Sequence, residues 1–159
     1  MRCERGFTLI ETLVVVTIAG VLLAFGMPAF LDYREALRQK SARAQVTEDL
    51  YIARQLAVTR HAPVIVAFGT PPATTNITSY TIHVDTNGDG IAQSGERRFA
   101  RTLPTNVKLS QVSLAPTDSL IFDATGILYP GTSGGSIVIA GRGRADTLLV
   151  SAAGAVYQR

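Results

Sequence analysis

From Thr12 to Leu31 the sequence runs for twenty residues without a charge, TLVVVTIAGVLLAFGMPAFL, and the residue just before this run is Glu11. At about 1.5 Å rise per residue, a helix of that length matches the roughly 30 Å hydrocarbon core of a bilayer. The chain as a whole is 47% hydrophobic and 17% charged, values that would suit an ordinary globular protein of 159 residues. The distribution says otherwise: the apolar residues are concentrated near the N-terminus, and the stretch from Asp32 onward is polar enough to dissolve. A plain membrane anchor accounts for the run but not for Glu11. A carboxylate in such a segment costs about 3 kcal/mol on insertion scales and calls for a partner.

The residues upstream suggest that partner. A secretory signal would place a small-residue cleavage site beyond its apolar core. Here the basic stretch Met1 to Arg5 ends in Gly6, the apolar residues begin at once, and no such site precedes Asp32 to Arg34. Cleavage between Gly6 and Phe7 would create a cationic amine at Phe7, and the amine of a neighbouring subunit is better placed to meet Glu11 than the amine of the same helix end. Arg2 and Arg5 satisfy the positive-inside rule if the rest of the chain faces away from the cytoplasm. Removal of Arg2, Glu4 and Arg5 would lower the net charge from +3 to +2, too mild a bias to imply nucleic acid. It would also remove Cys3, the sole cysteine, so no intramolecular disulfide can form at any stage.

Gly6-Phe7-Thr8-Leu9-Ile10-Glu11 resembles the processing and methylation motif of the type IV prepilin family, which includes the pseudopilins of type II secretion. The resemblance implies cleavage after Gly6 by a prepilin peptidase, N-methylation of Phe7, and recruitment into a filament through Glu11. It further implies other pilin or pseudopilin subunits and an inner-membrane assembly platform as partners. Pro28, preceded by Gly20 and Gly26, removes a helical hydrogen bond and would kink or loosen the helix. In that family a proline at the corresponding place is usual.

Beyond Pro28, apolar residues at Phe30, Tyr33, Leu37, Val46, Leu50, Ala53, Leu56 and Ala57 recur at three or four residues in several places. Arg34, Arg38, Lys40, Arg43, Glu48, Asp49 and Arg54 fall on other faces. This predicts an amphipathic helix running to about Thr59 or Arg60 and stopping before Pro63. The basic cluster Arg34, Arg38, Lys40 and Arg43 reads as a solvated face or a headgroup-binding one.

After Pro63, short apolar stretches alternate with Gly-, Pro- and Asn-rich turns, predicting strands at 64–68, 79–84, 97–102, 107–114, 119–122, 126–129, 136–140, 147–151 and 155–157. The expected fold class is α+β: a long N-terminal helix, membrane anchor in its first half, packed on a C-terminal antiparallel sheet or sandwich. The expected organisation is a leader at 1–6, an anchor and filament-core half-helix at 7–31, an amphipathic half-helix at 32–61 and a β-rich head at 62–159. The run from Leu50 through Arg54, Arg60 and Pro63 to Val66 resembles the GspH/FimT group of minor pilins and pseudopilins, as do Ile121 to Gly126, Ser136 to Ile139 and Leu149 to Gly154. That likeness implies an H-type minor pseudopilin in a periplasmic pseudopilus, or a minor pilin of a type IV pilus serving priming or DNA uptake.

Two local motifs stand apart. Asp85, Asn87, Asp89, Gly90, Ile91 and Glu96 match the calcium-loop pattern D-x-[DN]-x-[DN]-G-x5-E, with side-chain oxygens, the Ile91 carbonyl and a bidentate Glu96 as Ca²⁺ ligands. Strands rather than helices flank it, so a Gly/Asn/Asp hairpin loop is the competing reading, and a calcium-dependent adhesive head is a third function class. Gly141-Arg142-Gly143-Arg144 resembles the arginine motif of FimT-like competence pilins, which implies DNA contact by Arg142 and Arg144; a solvated turn is the alternative. Neither filament reading requires a cofactor, and Ca²⁺ is the one candidate ion. His61 and His83 stand alone in the sequence, and the expectation is a structural subunit rather than an enzyme.

Overall fold

A computed structural model of the chain describes residues 7–69, 75–90, 93, 95–115, 119–129 and 133–158. One helix, α1 (Leu9–Arg60), precedes eight strands: β1 (Val64–Phe68), β2 (Ser79–Val84), β3 (Arg98–Thr102), β4 (Lys108–Ala115), β5 (Ser119–Phe122), β6 (Ser133–Gly141), β7 (Arg144–Val150) and β8 (Val156–Gln158). The chain divides into two compact units, Met1–Ala36 and Leu37–Arg159.

In the first unit Thr8 begins the helix. Its carbonyl accepts the Glu11 amide at 3.1 Å and its hydroxyl stands 3.4 Å from the same nitrogen. Thr8 and Glu11 thus occupy the first and last places of a T-x-x-E capping pattern, and the carboxylate lies where the helix dipole favours negative charge. Further along, the Thr12 hydroxyl donates to the Leu9 carbonyl at 2.8 Å and the Thr17 hydroxyl to the Val14 carbonyl at 3.1 Å. Such back-bonding satisfies polar groups that a hydrocarbon surrounding would leave unsolvated. Helical conformation runs through Pro28 without a break, so the residue removes one amide from the ladder and does not end the helix.

The second unit is built around the helix from Leu37 to Arg60, which buries Gln39, Ala42, Val46, Asp49, Leu50, Ala53 and Ala57 at spacings of mostly three and four. Expected core residue Leu37 is exposed instead, and Asp49, expected on a polar face, is buried. His61 takes φ 53° just past the last helical residue, the left-handed position that closes many helices, and Pro63 follows.

The strands form two four-stranded antiparallel sheets, in the orders β3-β2-β1-β5 and β4-β6-β7-β8. In the first, Val64, Val66 and Phe68 of β1 lie opposite Val84, Ile82 and Tyr80 of β2, and Val64 and Val66 opposite Phe122 and Leu120 of β5. In the second, Leu109, Val112 and Leu114 of β4 join Ile137, Ile139, Leu148 and Val150 in the same core as the helix residues. Leu109 and Val112 are out of phase for a regular strand. A register shift between Leu109 and Gln111 restores both to the core side, as a bulge does. Gly134 and Gly135 admit the tight approach of neighbouring backbone: an added Cβ would lie 1.8 Å from the Val150 carbonyl oxygen and 2.0 Å from that of Ser113, respectively.

The expected strand at 126–129 is not formed. Leu128 makes a single bridge to Phe122, because the Asp123 carboxylate captures the amides of Thr125 at 2.8 Å and Ile127 at 3.1 Å in a side-chain turn. The Thr125 hydroxyl, the nearest of these donors at 2.6 Å, leads in holding the Asp123 carboxyl below the usual range.

Candidate functional site

Phe7 is 78% exposed, and Glu11 lies in the first turn of α1. Gly6, the expected cleavage residue, lies outside the described residues. The Phe7 nitrogen is an amide as long as Gly6 precedes it, so a free amine there arises only on hydrolysis of that bond. The helix contains an eighteen-residue window of mean hydropathy 2.4, none of it buried within the chain, and is long and apolar enough to cross a membrane. Leu9, Ile10, Phe25 and Met27 are among its large exposed side chains. An apolar surface this extensive marks contact with lipid or with other subunits.

The acidic loop is arranged differently. Asp85 is 2% exposed; its two carboxylate oxygens accept the amides of Gly88 at 2.7 Å and Gly90 at 2.8 Å, both glycines at φ 75°. The Asn87 side-chain amide donates to Asp89 at 2.9 Å and its carbonyl oxygen accepts the Asp89 amide at 3.3 Å, while the Gln93 side chain also donates to Asp89. Glu96 spans the loop mouth, one oxygen taking the Thr86 amide and the other the Gln93 amide, each at 3.0 Å. The motif residues are brought into one loop, but their oxygens face amide donors. Among the described residues no group of three or more His, Cys, Asp or Glu is placed to hold a metal. Ile91, the expected carbonyl ligand, lies outside the described residues.

The arginine motif forms the turn between β6 and β7. Gly141 pairs with Arg144, so Arg142 and Gly143 make a two-residue connection with Gly143 at φ 78°, and both arginines are exposed. The strand end sits against the helix. A Cβ on Gly141 would meet the Gln39 side-chain oxygen at 3.1 Å, the Gln39 amide lies 3.5 Å from the Ile139 carbonyl, and Arg43 pairs with Asp146 at 3.9 Å.

Sequence reasoning missed a buried polar cluster. The Tyr80 hydroxyl donates to Asp49 Oδ2 at 2.6 Å and Arg101 Nε donates to Asp49 Oδ1 at 3.1 Å, tying the helix to β2 and β3. Gln45 adds a bond of 3.2 Å to the Thr102 carbonyl. Burial, then the hydrogen bond and charge of Asp49, push the Tyr80 phenol up. The signal was present: Asp49 falls three residues after Val46 and four before Ala53, on the apolar stripe. His83 was also missed. It is 1% exposed, and neither ring nitrogen has a hydrogen-bond partner among the described residues. Burial pushes its imidazole down; Glu96 and Asp85 oppose that shift and Arg98 adds to it.

Three comparisons bear on these features. Over 60 residues, about a third of its length, the chain is 42% identical to the type IV major pilin PilE1 of Neisseria gonorrhoeae, covering 36% of this chain and 32% of that protein. It is 44% identical over 55 residues to the type IV major fimbrial protein FimA of Dichelobacter nodosus, covering 35% and 30% respectively. The chain therefore spans about a third of the length of these relatives. The crystal structure of the type IV minor pilin FimU of Pseudomonas aeruginosa superposes with TM-score 0.57 at 19% identity, covering 80% of this chain and 92% of that one, which establishes a shared fold. The prokaryotic N-terminal methylation motif matches residues 1–27, and the type II transport protein GspH matches residues 42–154. With most of its length so matched, the chain belongs to the GspH family of type IV pilin-like proteins, structural subunits of the minor pilin or pseudopilin kind.

Proposed function

We propose that this protein is an H-type minor pseudopilin: a single-pass inner-membrane subunit, its head in the periplasm, that is drawn into the short pseudopilus of a type II secretion system. The GspH match over residues 42–154 carries this reading. The division of labour follows from the chemistry. Residues 7–31 form the anchor and later the filament core, 32–61 the amphipathic continuation, and 62–159 the head. Hydrolysis after Gly6 by a prepilin peptidase removes residues 1–6 and frees the Phe7 amine for methylation. That amine, on one subunit, neutralises Glu11 on the next, so that a carboxylate that is costly in lipid becomes favourable only on assembly at the inner-membrane platform. Pro28 leaves the Ala24 carbonyl without its amide donor, a weak point at which the core helix can adjust to its neighbours.

A minor type IV pilin is the second reading, favoured by the fold shared with FimU. Deleting the gene separates the two: loss of secreted enzymes from the medium with surface pili intact supports the pseudopilin, and the reverse supports the pilin. The assembly mechanism is tested by Glu11→Leu, which should remain membrane-inserted yet fall at least about tenfold in recovered filaments, since loss of one charge-assisted contact is worth ~1.5–3 kcal/mol. Normal incorporation of Glu11→Leu would refute the charge pair, and a processed product from Gly6→Phe would refute the cleavage site. The Asp85 to Glu96 loop retains its calcium spacing. Calorimetric titration at millimolar Ca²⁺ decides whether the carboxylates exchange their amide donors for an ion.

A further inference from the structure

We propose that the β6–β7 hairpin is a membrane-docking element: Arg142 and Arg144, with Lys108, Arg38, Lys40 and Arg43, form a cationic end of the head that settles on anionic lipid headgroups before the subunit enters the filament. The proposal rests on the anchor reading above and concerns the inserted, unassembled subunit.

The head brings these residues together from three separate parts of the chain. Arg38, Lys40 and Arg43 neighbour Gln39 along the helix; the Gln39 amide lies 3.5 Å from the Ile139 carbonyl, and its side-chain oxygen would stand 3.1 Å from a Cβ placed on Gly141. Across the second sheet Lys108 is opposite Ala140, and Ala140 is opposite Ala145, so Lys108 lies in the row next to the turn. Gly141 and Arg144 close that turn, and Arg142 and Gly143 project beyond the last pair. Lys40, Lys108, Arg142 and Arg144 are exposed. Arg43 shares the nearby carboxylate, Asp146, at 3.9 Å.

Elsewhere in the head, charges are more nearly matched. At the other end of its helix, Asp85 and Glu96 accompany Arg97 and Arg98, and Asp123 lies in the turn whose Gly126 packs on Arg54. The cationic excess is therefore local, not spread over the surface.

Chain connectivity supplies the occupant. Gln39 is eight residues from Leu31, the last residue of the uncharged run. Whatever angle the two units adopt, eight residues span at most about 28 Å, and less when helical. The hairpin end lies beside Gln39, so covalent connectivity limits its distance from the end of the uncharged run. Juxtamembrane clusters of this size are drawn to anionic leaflets, and the attraction fades within a Debye length. A two-residue turn carrying long side chains suits such contact, because it presents charge without any apolar surface that must insert. Nucleic acid shares the phosphate chemistry, but nothing tethers it beside Gln39.

The test uses the full chain with Cys3→Ser and Ala145→Cys, spin-labelled at residue 145 and reconstituted into neutral vesicles or vesicles containing one-third phosphatidylglycerol. Label accessibility to a water-soluble relaxing agent is read in each. Protection confined to the anionic vesicles is expected, abolished in 1 M salt, where the Debye length is about 3 Å. Arg142→Ala/Arg144→Ala should lower the docked-to-free ratio about 30-fold, at about fivefold per arginine. Arg142→Lys/Arg144→Lys should retain most of it, which a purely structural role for the guanidinium groups would not. Lys108→Glu, on another strand, should act in the same direction without touching the turn. Equal accessibility in both vesicle types overturns the proposal. So does tighter binding of double-stranded DNA than of anionic vesicles at equal phosphate, which would assign the patch to nucleic acid. Failure of the chain to float with either vesicle type would remove the anchor reading and this proposal with it, whereas flotation with composition-independent accessibility removes the docking proposal alone.

Discussion

Two stretches of one helix obey different rules. In the first unit no side chain of the apolar window is buried, and Leu22, Leu23 and Phe25 are each at least 67% exposed. In the second unit, Ala42, Val46, Ala53 and Ala57 are fully buried against β-strands. The first stretch is uniformly apolar because its surroundings lie outside the chain. The second is striped because one face of it meets a core built from the same chain. Hydrophobic content alone therefore does not report burial here. What distinguishes the two is whether polar residues interrupt the run at helical spacing.

Substitutions in the two stretches should differ most in their effect on head stability. Leu50→Ala, which empties a buried site on the second stretch, should destabilise the head by about 2–5 kcal/mol, whereas Leu22→Ala should shift it by less than ~0.5 kcal/mol. Denaturant midpoints of the full chain in detergent check this, and a comparable loss from Leu22→Ala would break the distinction. The buried polar cluster gives the next effect. Asp49→Ala leaves the Tyr80 hydroxyl without its acceptor and should destabilise by about 2 kcal/mol. Arg101→Ala should change stability by less than ~1 kcal/mol, since the Arg101 side chain is 42% exposed and solvent screens the pair. Equal losses at the two positions would show that the ion pair, not the buried hydroxyl, governs the site.

The smallest effect is on pH dependence. His83 is held neutral in the head, its imidazole pushed below the usual 6.5 mainly by burial against the opposing pull of Glu96 and Asp85. The unfolded chain binds that proton first as pH falls. Stability is thus fully present above about pH 6.5 and declines below it, by at most ~1.4 kcal/mol per pH unit, until the folded imidazole also titrates. Asp123 acts in a lower window, below its ordinary 3.8, where loss of its amide and hydroxyl bonds adds to the decline. Melting of wild type and His83→Leu at about pH 7.5 and about pH 5.5 checks the assignment; identical slopes would remove His83 as the source.

Much of the architecture was legible. The end of α1 before Pro63 and the strands β1, β2 and β5 follow from alternation, β-branched residues and turn punctuation, and the structure places them at the expected residues. The strand expected at 126–129 failed because periodicity ignores side-chain competition. Asp123 offered the Thr125 and Ile127 amides an acceptor within the turn, so the ladder stopped at one bridge. The shift in β4 was equally invisible, since it depends on which face of Leu109 and Val112 the opposite layer can accept. For the candidate sites, spacing identified Asp85, Asn87, Asp89 and Glu96 as one loop but could not show which groups their oxygens would meet.

The sequence by itself determined the parts whose physics is local or environmental: an uncharged span matched to a bilayer, Glu11 immediately before it, a helix that ends before Pro63, and strands with a period of two. Bilayer thickness, proline sterics and backbone pleating act on consecutive residues, so consecutive residues reveal them. Only tertiary structure decided that Asp49 would be buried with Tyr80 and Arg101, that His83 would lose all hydrogen-bond partners among the described residues, and that Arg142 and Arg144 would gather beside Lys108 and Gln39. Those outcomes depend on residues tens of positions apart meeting in a packed core, where the burial of each group is set by its neighbours.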